Sequence, residues 1–177
     1  MSNGKPAQND LYEQAIAAYG PAIDRLARSY EADSEERQDL LQEIHLALWR
    51  SFEGFDSRCS LRTWVYRVAH NVATSHVIRH RRTNSRTLLS LDALEGVQDK
   101  NDSEAAADRH EVVQQLLTLV QRLRPIDRQI MLLYLEGMDA TSIGEITGVS
   151  PGNVFTKMHR IKSIIADRFW KGGRHER

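Results

Sequence analysis

Apolar side chains recur along this chain at the three- and four-residue spacing of amphipathic helices, and no alternating stretch is long enough to predict a sheet. A first helix is predicted over about residues 10–30, with a kink or break at Gly20 and Pro21. Its predicted buried positions are Leu11, Ala15, Ala18, Ile23, Leu26 and Ala27. A second helix, over about 34–52, buries Leu41, Ile44, Leu48 and Phe52.

A third helix begins after Ser60, whose hydroxyl can cap it, and runs to about Arg82 with Leu61, Val65, Val68 and Val72 buried. Residues 83–108 are polar, acidic and weakly periodic, which predicts a flexible linker. Beyond it, one helix is predicted over about 109–123 and another from Pro125 to Gly137, with Ile126, Ile130 and Leu133 buried. The pattern predicts an all-α protein of two small domains, 10–82 and 109–170.

Residues 138–165 carry the pattern of a helix-turn-helix. Asp139 can cap a short helix, in which Gly144 allows a close approach of the next helix. Gly148 can take the positive φ of a turn, and Ser150 with Pro151 can then start the second helix.

The second helix of this motif has one apolar side, formed by Val154, Met158, Ile161 and Ile165. The polar side chains predicted to face away from it are Asn153, Thr156, Lys157 and Arg160. Such side chains bind base edges and phosphates in a major groove. An ordinary helical hairpin with a solvated polar face would show the same pattern.

Charge is strongly segregated along the chain, although the formal net charge is zero. Residues 1–56 carry 11 acidic and 5 basic side chains, whereas residues 57–89 carry 7 arginines and no acid. Residues 90–111 are again acidic, and residues 112–177 have a net charge of +4. Because local basic density determines attraction to phosphates, the second and fourth stretches are both candidates for binding nucleic acid.

The arginine-rich stretch also contains aromatic residues. Trp64 and Tyr66 lie among Arg62, Arg67, His70 and Asn71, a mixture that can stack unpaired bases while holding the backbone. The alternative is that Trp64 belongs to the core of its domain.

Catalytic and metal-binding patterns are weak. The single cysteine, Cys59, cannot form an internal disulfide, and His76 with His80 has no third ligand nearby. No apolar run reaches the roughly 20 residues that span a bilayer, and the first ten residues lack a secretory signal. We therefore expect a cytoplasmic protein with no catalytic site, metal or cofactor, and no membrane partner.

Three segments together resemble the small two-domain sigma factors of the sigma-70 superfamily, most closely the extracytoplasmic-function type. They are the run from Asp39 to Glu43 with Leu46 and Trp49, the run from Ser60 to Arg82, and RLRPIDRQIMLLYLEG followed by the helix-turn-helix. The resemblance implies a factor that directs core RNA polymerase to promoters.

The resemblance also implies a role for each segment. The second helix would bind the clamp helices of the polymerase β′ subunit through Asp39, Leu40, Gln42, Glu43 and Trp49. The loop from Glu53 to Ser60 and the following helix would recognise and melt the minus-ten element, through Arg58, Arg62, Trp64, Arg67, Asn71, Arg79, Arg81 and Arg82. The helix-turn-helix would read the minus-thirty-five element through Ser150, Asn153, Phe155, Thr156, Lys157, Arg160 and Lys162. The linker would pass through the polymerase, and an anti-sigma factor is a further implied partner.

The chain departs from the family pattern at several positions. Phe155 stands where a basic residue is usual, and it either touches a thymine methyl or packs inward. Lys157 replaces a more common arginine, and the sequence SEERQ before Asp39 is atypical. Two other classes remain open: a helix-turn-helix regulator that is not part of the polymerase, and an RNA-binding or interaction protein.

Overall fold

A computed structural model describes residues 8–83, 116 and 118–171 of this chain, with the side chains of 80–83 and 168–171 excluded. All regular elements within these residues are helical, so the all-α prediction is confirmed there. The chain divides into two compact units, residues 1–85 and 86–177. The predicted linker and most of the helix over 109–123 lie outside the described residues. None of the helices within the described ranges has the length and apolarity to cross a membrane.

Unit 1 (residues 1–85) contains three long helices, α1 (Gln8–Tyr30), α2 (Ser34–Ser51) and α3 (Leu61–Thr83), with a short 3-10 turn over Phe52–Gly54. Asp33 caps α2 because its carboxylate accepts the backbone N–H groups of Glu35 and Glu36 at 2.9 and 3.1 Å. Ser60 caps α3 as predicted, since its hydroxyl accepts the N–H of Thr63 at 3.0 Å.

The structure differs from the α1 prediction in two respects: the chain has no break at Gly20 and Pro21, and one predicted core position is wrong. The helix continues through Pro21 without a break. Ala18 is exposed, and Ala22 is buried in its place. Ala18 lies about 60° around the helix from Ala15, which puts it at the edge of the apolar stripe, whereas Ala22 lies almost directly above Ala15.

The buried face of α3 is also different from the prediction. It is formed by Tyr66, Ala69, His70, Ala73 and His76, together with Val65, while Leu61, Val68 and Val72 are only half-buried. His70 is tolerated in this core because its Nδ1 shares a hydrogen bond of 3.0 Å with the Tyr30 hydroxyl of α1. Burial lowers the pKa of His70 to about 3, so this histidine is neutral in the folded protein.

Unit 2 (residues 86–177) contains α4 (Pro125–Leu135), α5 (Ala140–Thr147) and α6 (Pro151–Lys171), preceded by helical residues 118–122. Ile130 and Leu133 are buried as predicted, whereas Ile126 is half-buried. The buried Arg128 of α4 donates to the carbonyls of Val120, Gln121 and Leu123, so it satisfies groups at the end of the preceding helical segment.

The helix-turn-helix forms as the sequence predicts. The Asp139 carboxylate caps α5 by accepting the N–H of Ser142 at 2.8 Å, and Gly148 ends α5 with φ of 74°. A Cβ on Gly144 would lie 2.7 Å from the carbonyl oxygen of Val149, so only glycine fits where the turn crosses α5. The two helices are therefore fixed by a backbone contact as well as by side chains.

Candidate nucleic-acid interface

The buried side of α6 fixes which of its residues can reach a partner. Val154, Met158, Ile161 and Ile164 are buried against the rest of unit 2. The prediction placed Ile165 on this stripe, but Ile165 is half-buried and Ile164 occupies the core. The stripe therefore leans toward the side of the helix that carries Lys157.

The opposite side of α6 is open to solvent at its N-terminal half. Asn153 and Thr156 are exposed, as is Ser150 just before the helix. Phe155 is 71% exposed, so its ring points outward and does not pack inward. The Thr156 hydroxyl donates to the Gly152 carbonyl at 3.0 Å, which holds the side chain against its own helix.

His159 also belongs to this surface, and the sequence analysis missed it. Its side chain is exposed one turn after Phe155, so the two rings share one face of α6. The spacing of four residues from Phe155 was the available signal. We call Asn153, Phe155, Thr156 and His159 the recognition face.

The prediction that Lys157 faces away from the core is wrong. Its ammonium donates to Asp127 of α4 at 2.6 Å, and the Asp127 side chain is only 3% exposed. Arg160 is half-buried. The ammonium of Lys162 donates to the Tyr134 hydroxyl at 2.6 Å and lies 3.9 Å from the centre of that ring. Both lysines are therefore held by α4.

In unit 1, the segment between α2 and α3 is organised around aromatic rings. Phe52 and Phe55 are buried edge to face with centroids 6.2 Å apart, and Trp64 lies edge to face on Phe55 at 5.3 Å. The Trp64 indole N–H donates to the Ser51 hydroxyl at 2.9 Å. We call Phe52, Phe55 and Trp64 the aromatic cluster; Trp64 is its half-buried member.

The tip of this segment is polar and exposed. The Arg58 guanidinium binds the Asp56 carboxylate at 2.5 Å, and Arg58 is 89% exposed. Ser57 between them has φ of 62°, which folds the turn tightly. The backbone N–H and side chain of Arg58 lower the pKa of Asp56, so the carboxylate stays ionised.

The basic and polar side chains of α3 are distributed over several faces. The Arg62 guanidinium lies 5.8 Å from the Tyr66 ring, and Tyr66 is buried, so this tyrosine is not available to stack a base as the sequence suggested. Arg67 is half-buried and Asn71 is exposed. Arg79 binds Glu43 of α2 at 2.5 Å. The side chains of Arg81 and Arg82 lie outside the described residues.

The outer face of α2 carries most of the predicted polymerase contacts, with one correction. Leu40 is fully buried, so its prediction as a docking residue is wrong. Its burial follows from its position one turn before Ile44 on the core side. The outward residues, which we call the docking stripe, are Asp39, Gln42, Glu43, Leu46 and Trp49.

The docking stripe combines carboxylates with exposed apolar area. Leu46 is 48% exposed and Trp49 is 41% exposed, and because they lie three residues apart on α2 their exposed apolar areas are adjacent. The Trp49 indole N–H donates to the Asn9 side chain of α1 at 2.9 Å, which fixes the ring in place. Leu46 was absent from the predicted contacts, and its exposure adds it.

Comparison with known families matches both units of the chain to regions of one protein family. The family model for sigma-70 region 2 matches residues 15–83, and the model for sigma-70 region 4 matches residues 113–165. The two regions follow the order of the two units and together cover about two thirds of the chain. The chain belongs to the sigma-70 family. This sigma factor carries its docking stripe and arginine-rich helix in region 2, and its helix-turn-helix in region 4.

Curated relatives place it with the extracytoplasmic-function type. It is 23% identical to the ECF RNA polymerase sigma factor SigW of Bacillus subtilis, over 91% of this chain and 90% of SigW. It is 24% identical to the RNA polymerase sigma factor CarQ of Myxococcus xanthus, with 90% of each chain covered. The partners of this sigma factor are core RNA polymerase and promoter DNA.

Solved structures show the same fold. The sigma factor RpoE of Bartonella quintana, in complex with the anti-sigma factor NepR, has a TM-score of 0.67 at 17% identity. That match covers 90% of this chain and 96% of the other. CnrH, in complex with the cytosolic domain of CnrY, has a TM-score of 0.63 at 19% identity, over 90% of this chain and 88% of CnrH.

Proposed function

We propose that this sigma factor divides promoter recognition between its two units. Unit 1 binds core polymerase and separates the strands at the minus-ten element, and unit 2 reads the minus-thirty-five element as duplex. The corresponding domains are residues 10–82 and 109–170, joined by a linker at 83–108 that passes through the polymerase. The factor performs no catalysis of its own and acts in the cytoplasm, where it meets its polymerase.

The docking stripe is the proposed contact with the clamp helices of the polymerase β′ subunit. Leu46 and Trp49 offer apolar area that is exposed in the free protein, and Asp39 and Glu43 flank it with negative charge. A partner surface with apolar side chains and basic residues would bury that area and pair those charges. Leu40 instead holds α2 in the core and so fixes the stripe from behind.

Melting is proposed to proceed by capture of unpaired bases beside the aromatic cluster. An unpaired base can stack on an aromatic face or enter a pocket, whereas a base inside the duplex cannot, so binding shifts the equilibrium toward open strands. The exposed Arg58 and Asn71, with Arg62, Arg67 and Arg79, would bind the backbone of the displaced strand. Arg81 and Arg82 complete this proposed set.

Upstream reading is assigned to the N-terminal half of α6. The recognition face offers an amide, a hydroxyl, an imidazole and an exposed phenyl ring, which can bind base edges and a thymine methyl. Ser150, Arg160 and Lys162 flank it and are the proposed contacts to the backbone. Lys157 lies beside them, paired with Asp127, and is proposed to contact an acceptor group of the upstream element. Phe155 belongs to this proposal because it points outward, so it makes an apolar contact where the family usually has a cation.

The observation that carries the proposal is that the exposed side of α6 and the exposed docking stripe lie in the two units that match region 4 and region 2. Run-off transcription with core polymerase and fragments of genomic DNA tests it. We expect specific start sites only when the factor is added. A Leu46→Ala and Trp49→Ala double variant should lose these transcripts because it no longer binds the core enzyme. Specific transcripts at undiminished yield from that variant would contradict the assignment of the docking stripe.

An anti-sigma factor is a further proposed partner. Two observations support this proposal. CnrH and RpoE were each solved in complex with a binding protein, CnrY and NepR respectively. In this chain, Leu46 and Trp49 of the docking stripe are exposed. Affinity capture with the full chain, in the presence and absence of excess core polymerase, tests whether a captured protein competes for the same surface. We expect core polymerase to displace it.

A further inference from the structure

Lys157 of α6 and Asp127 of α4 form an ion pair that joins α6 to the core of unit 2. The Asp127 carboxylate is 3% exposed and lies in the first turn of α4, where free backbone N–H groups favour a negative charge. Its oxygen accepts the Lys157 ammonium at 2.6 Å. A buried carboxylate needs such a partner because desolvation of an unpaired charge is very costly.

Lys157 occupies the border between the core and the DNA-reading side of α6. Its side chain is 33% exposed, and it lies one turn from Asn153 and close to one turn from Arg160. A lysine ammonium has three N–H donors, and the structure uses one of them on Asp127. The remaining donors can reach a DNA group only from the position in which Asp127 holds them.

The charge of Lys157 is therefore compensated before DNA arrives. An uncompensated lysine binds phosphates of any sequence and gains from counterion release, which raises affinity without discrimination. A compensated and fixed lysine gains little from this general attraction, so it contributes chiefly where an acceptor lies in the right place. Lys162 provides the contrast, because its partner Tyr134 is neutral and leaves its charge intact.

We propose that Asp127 determines specificity for the upstream promoter element. Asp127 is a positioning residue, because it acts by holding Lys157 and does not itself contact DNA. It holds the Lys157 ammonium in one place and suppresses its attraction to phosphates of non-cognate DNA. The inference rests on the proposed reading of duplex DNA by α6, and it deepens that function by naming a buried residue that never touches DNA.

The test uses holoenzyme assembled from core polymerase and the full chain. Two duplexes are compared: a promoter fragment identified by run-off transcription, and the same fragment with its upstream element scrambled. Dissociation constants are measured for both over a series of salt concentrations. The variants are Asp127→Asn, Asp127→Glu, and the neutral pair Asp127→Asn with Lys157→Gln, each checked for folding by circular dichroism.

Asp127→Asn should bind the scrambled duplex more tightly, so that the ratio of the two dissociation constants falls roughly three- to tenfold. Its salt slope on the scrambled duplex should steepen by about one, because one more phosphate is neutralised. Asp127→Glu keeps the carboxylate and should retain most of the wild-type ratio. The neutral pair should keep the wild-type salt slope but lose discrimination, since Lys157 carried little free charge before.

Two results would overturn the proposal. One is an Asp127→Asn variant with wild-type ratio and slope. The other is a neutral pair whose slope falls by about one, which would show that Lys157 is an ordinary phosphate contact. If wild-type holoenzyme itself binds both fragments equally, the reading of the upstream element by α6 fails, and this outcome is distinct from the other two.

Discussion

Individual residues in this sigma factor are separated sharply into those buried in the core and those exposed to solvent, where a partner could contact them. Leu40 and Leu46 lie six residues apart on α2, yet one is fully buried and the other is 48% exposed. His70 and His159 are likewise a core residue and a surface residue. Substitutions at such pairs should separate stability from function.

The first such contrast is Leu40→Ala against Leu46→Ala. Leu40→Ala leaves a cavity in unit 1 and should lower the free energy of unfolding by about 2–5 kcal/mol. Leu46→Ala should change stability by less than about 0.5 kcal/mol while weakening binding to core polymerase. Chemical denaturation and a polymerase-binding titration measure the two effects. A Leu46→Ala variant with wild-type polymerase affinity would contradict the proposed role of Leu46 in polymerase binding.

Gly144 gives a second prediction, because a methyl group there would meet the Val149 carbonyl at 2.7 Å. Gly144→Ala should destabilise the helix-turn-helix by about 1–3 kcal/mol, since either the turn or α5 must shift. Gly152→Ala is the matched control, because a Cβ at Gly152 meets nothing within 4 Å. That control should leave stability unchanged or raise it by up to about 1 kcal/mol through helix propensity. Equal melting temperatures for the two variants would refute the proposed clash.

His70 gives a third prediction, which concerns pH. Its pKa in the folded protein is about 3 and its ordinary value is 6.5, so between these values the unfolded chain binds a proton that the folded protein does not. The stabilisation is therefore complete above pH 6.5 and is lost as the pH falls toward 3. The slope from this one group is at most about 1.4 kcal/mol per pH unit.

Denaturation of wild type and His70→Gln between pH 4 and pH 8, a range we choose to span most of the titration, measures this effect. We expect His70→Gln to be less stable than wild type at pH 8 but less sensitive to acid. The buried His76 and Glu31, whose Nε2 and Oε2 lie 3.7 Å apart, remain in both proteins, so the difference isolates His70. Parallel pH profiles would contradict the prediction.

At the scale of the elements, the pair formed by α2 and α3 brings the two proposed activities of unit 1 into contact. Glu43 of the docking stripe binds Arg79 of the arginine-rich helix at 2.5 Å, and both side chains are about half exposed. An exposed ion pair contributes at most about 1 kcal/mol to stability. Its two members can therefore be changed without loss of the fold.

Glu43→Gln and Arg79→Gln should have different consequences. Glu43→Gln should weaken polymerase binding, because it removes a charge from the docking stripe. Arg79→Gln should leave polymerase binding nearly unchanged and reduce open-complex formation, which permanganate footprinting of unpaired thymines measures. Equal loss of both activities in both variants would contradict this division between α2 and α3.

The elements also show how far the sequence predicts the fold. The caps at Asp139 and Ser60 and the turn at Gly148 were predictable because each depends on local hydrogen bonds or a local φ value. The buried face of α3 was not, because its valines suggested the core while the structure buries His70 and His76 with Tyr66. His70 can be buried because Tyr30, on another helix, forms a hydrogen bond with it. The spacing of apolar residues within α3 does not predict such a partner.

The candidate site was predictable to a similar degree. The polar side of α6 followed from helical spacing, but the attachment of Lys157 to Asp127 depends on a residue 30 positions away. Leu40 was assigned to the polymerase contacts by resemblance alone, and its burial in the core corrects that assignment. The roles of the outward residues remain predictions, since exposure shows which side chains can be touched and not what touches them.

At the scale of the whole molecule, the segregated charge explains how a chain with zero formal net charge serves a nucleic acid and a protein partner. Residues 1–56 have a net charge of −6, and residues 57–89 have a net charge of +7. Added salt should therefore weaken both polymerase binding and promoter binding, because screening acts on each block separately. Titrations at two salt concentrations measure this, and a salt-independent polymerase affinity would limit the docking stripe to apolar contacts.

Phe155 has a consequence for how such factors diversify. With 71% of the residue exposed, its ring adds almost nothing to the packing of unit 2, so the fold places few demands on the residue at this position. Under the proposed reading of the upstream element by α6, mutation there would alter promoter preference without first requiring a stabilising change elsewhere. A duplicated copy of this gene would then acquire new target promoters in single steps, while the scaffold that presents Phe155 stays as it is.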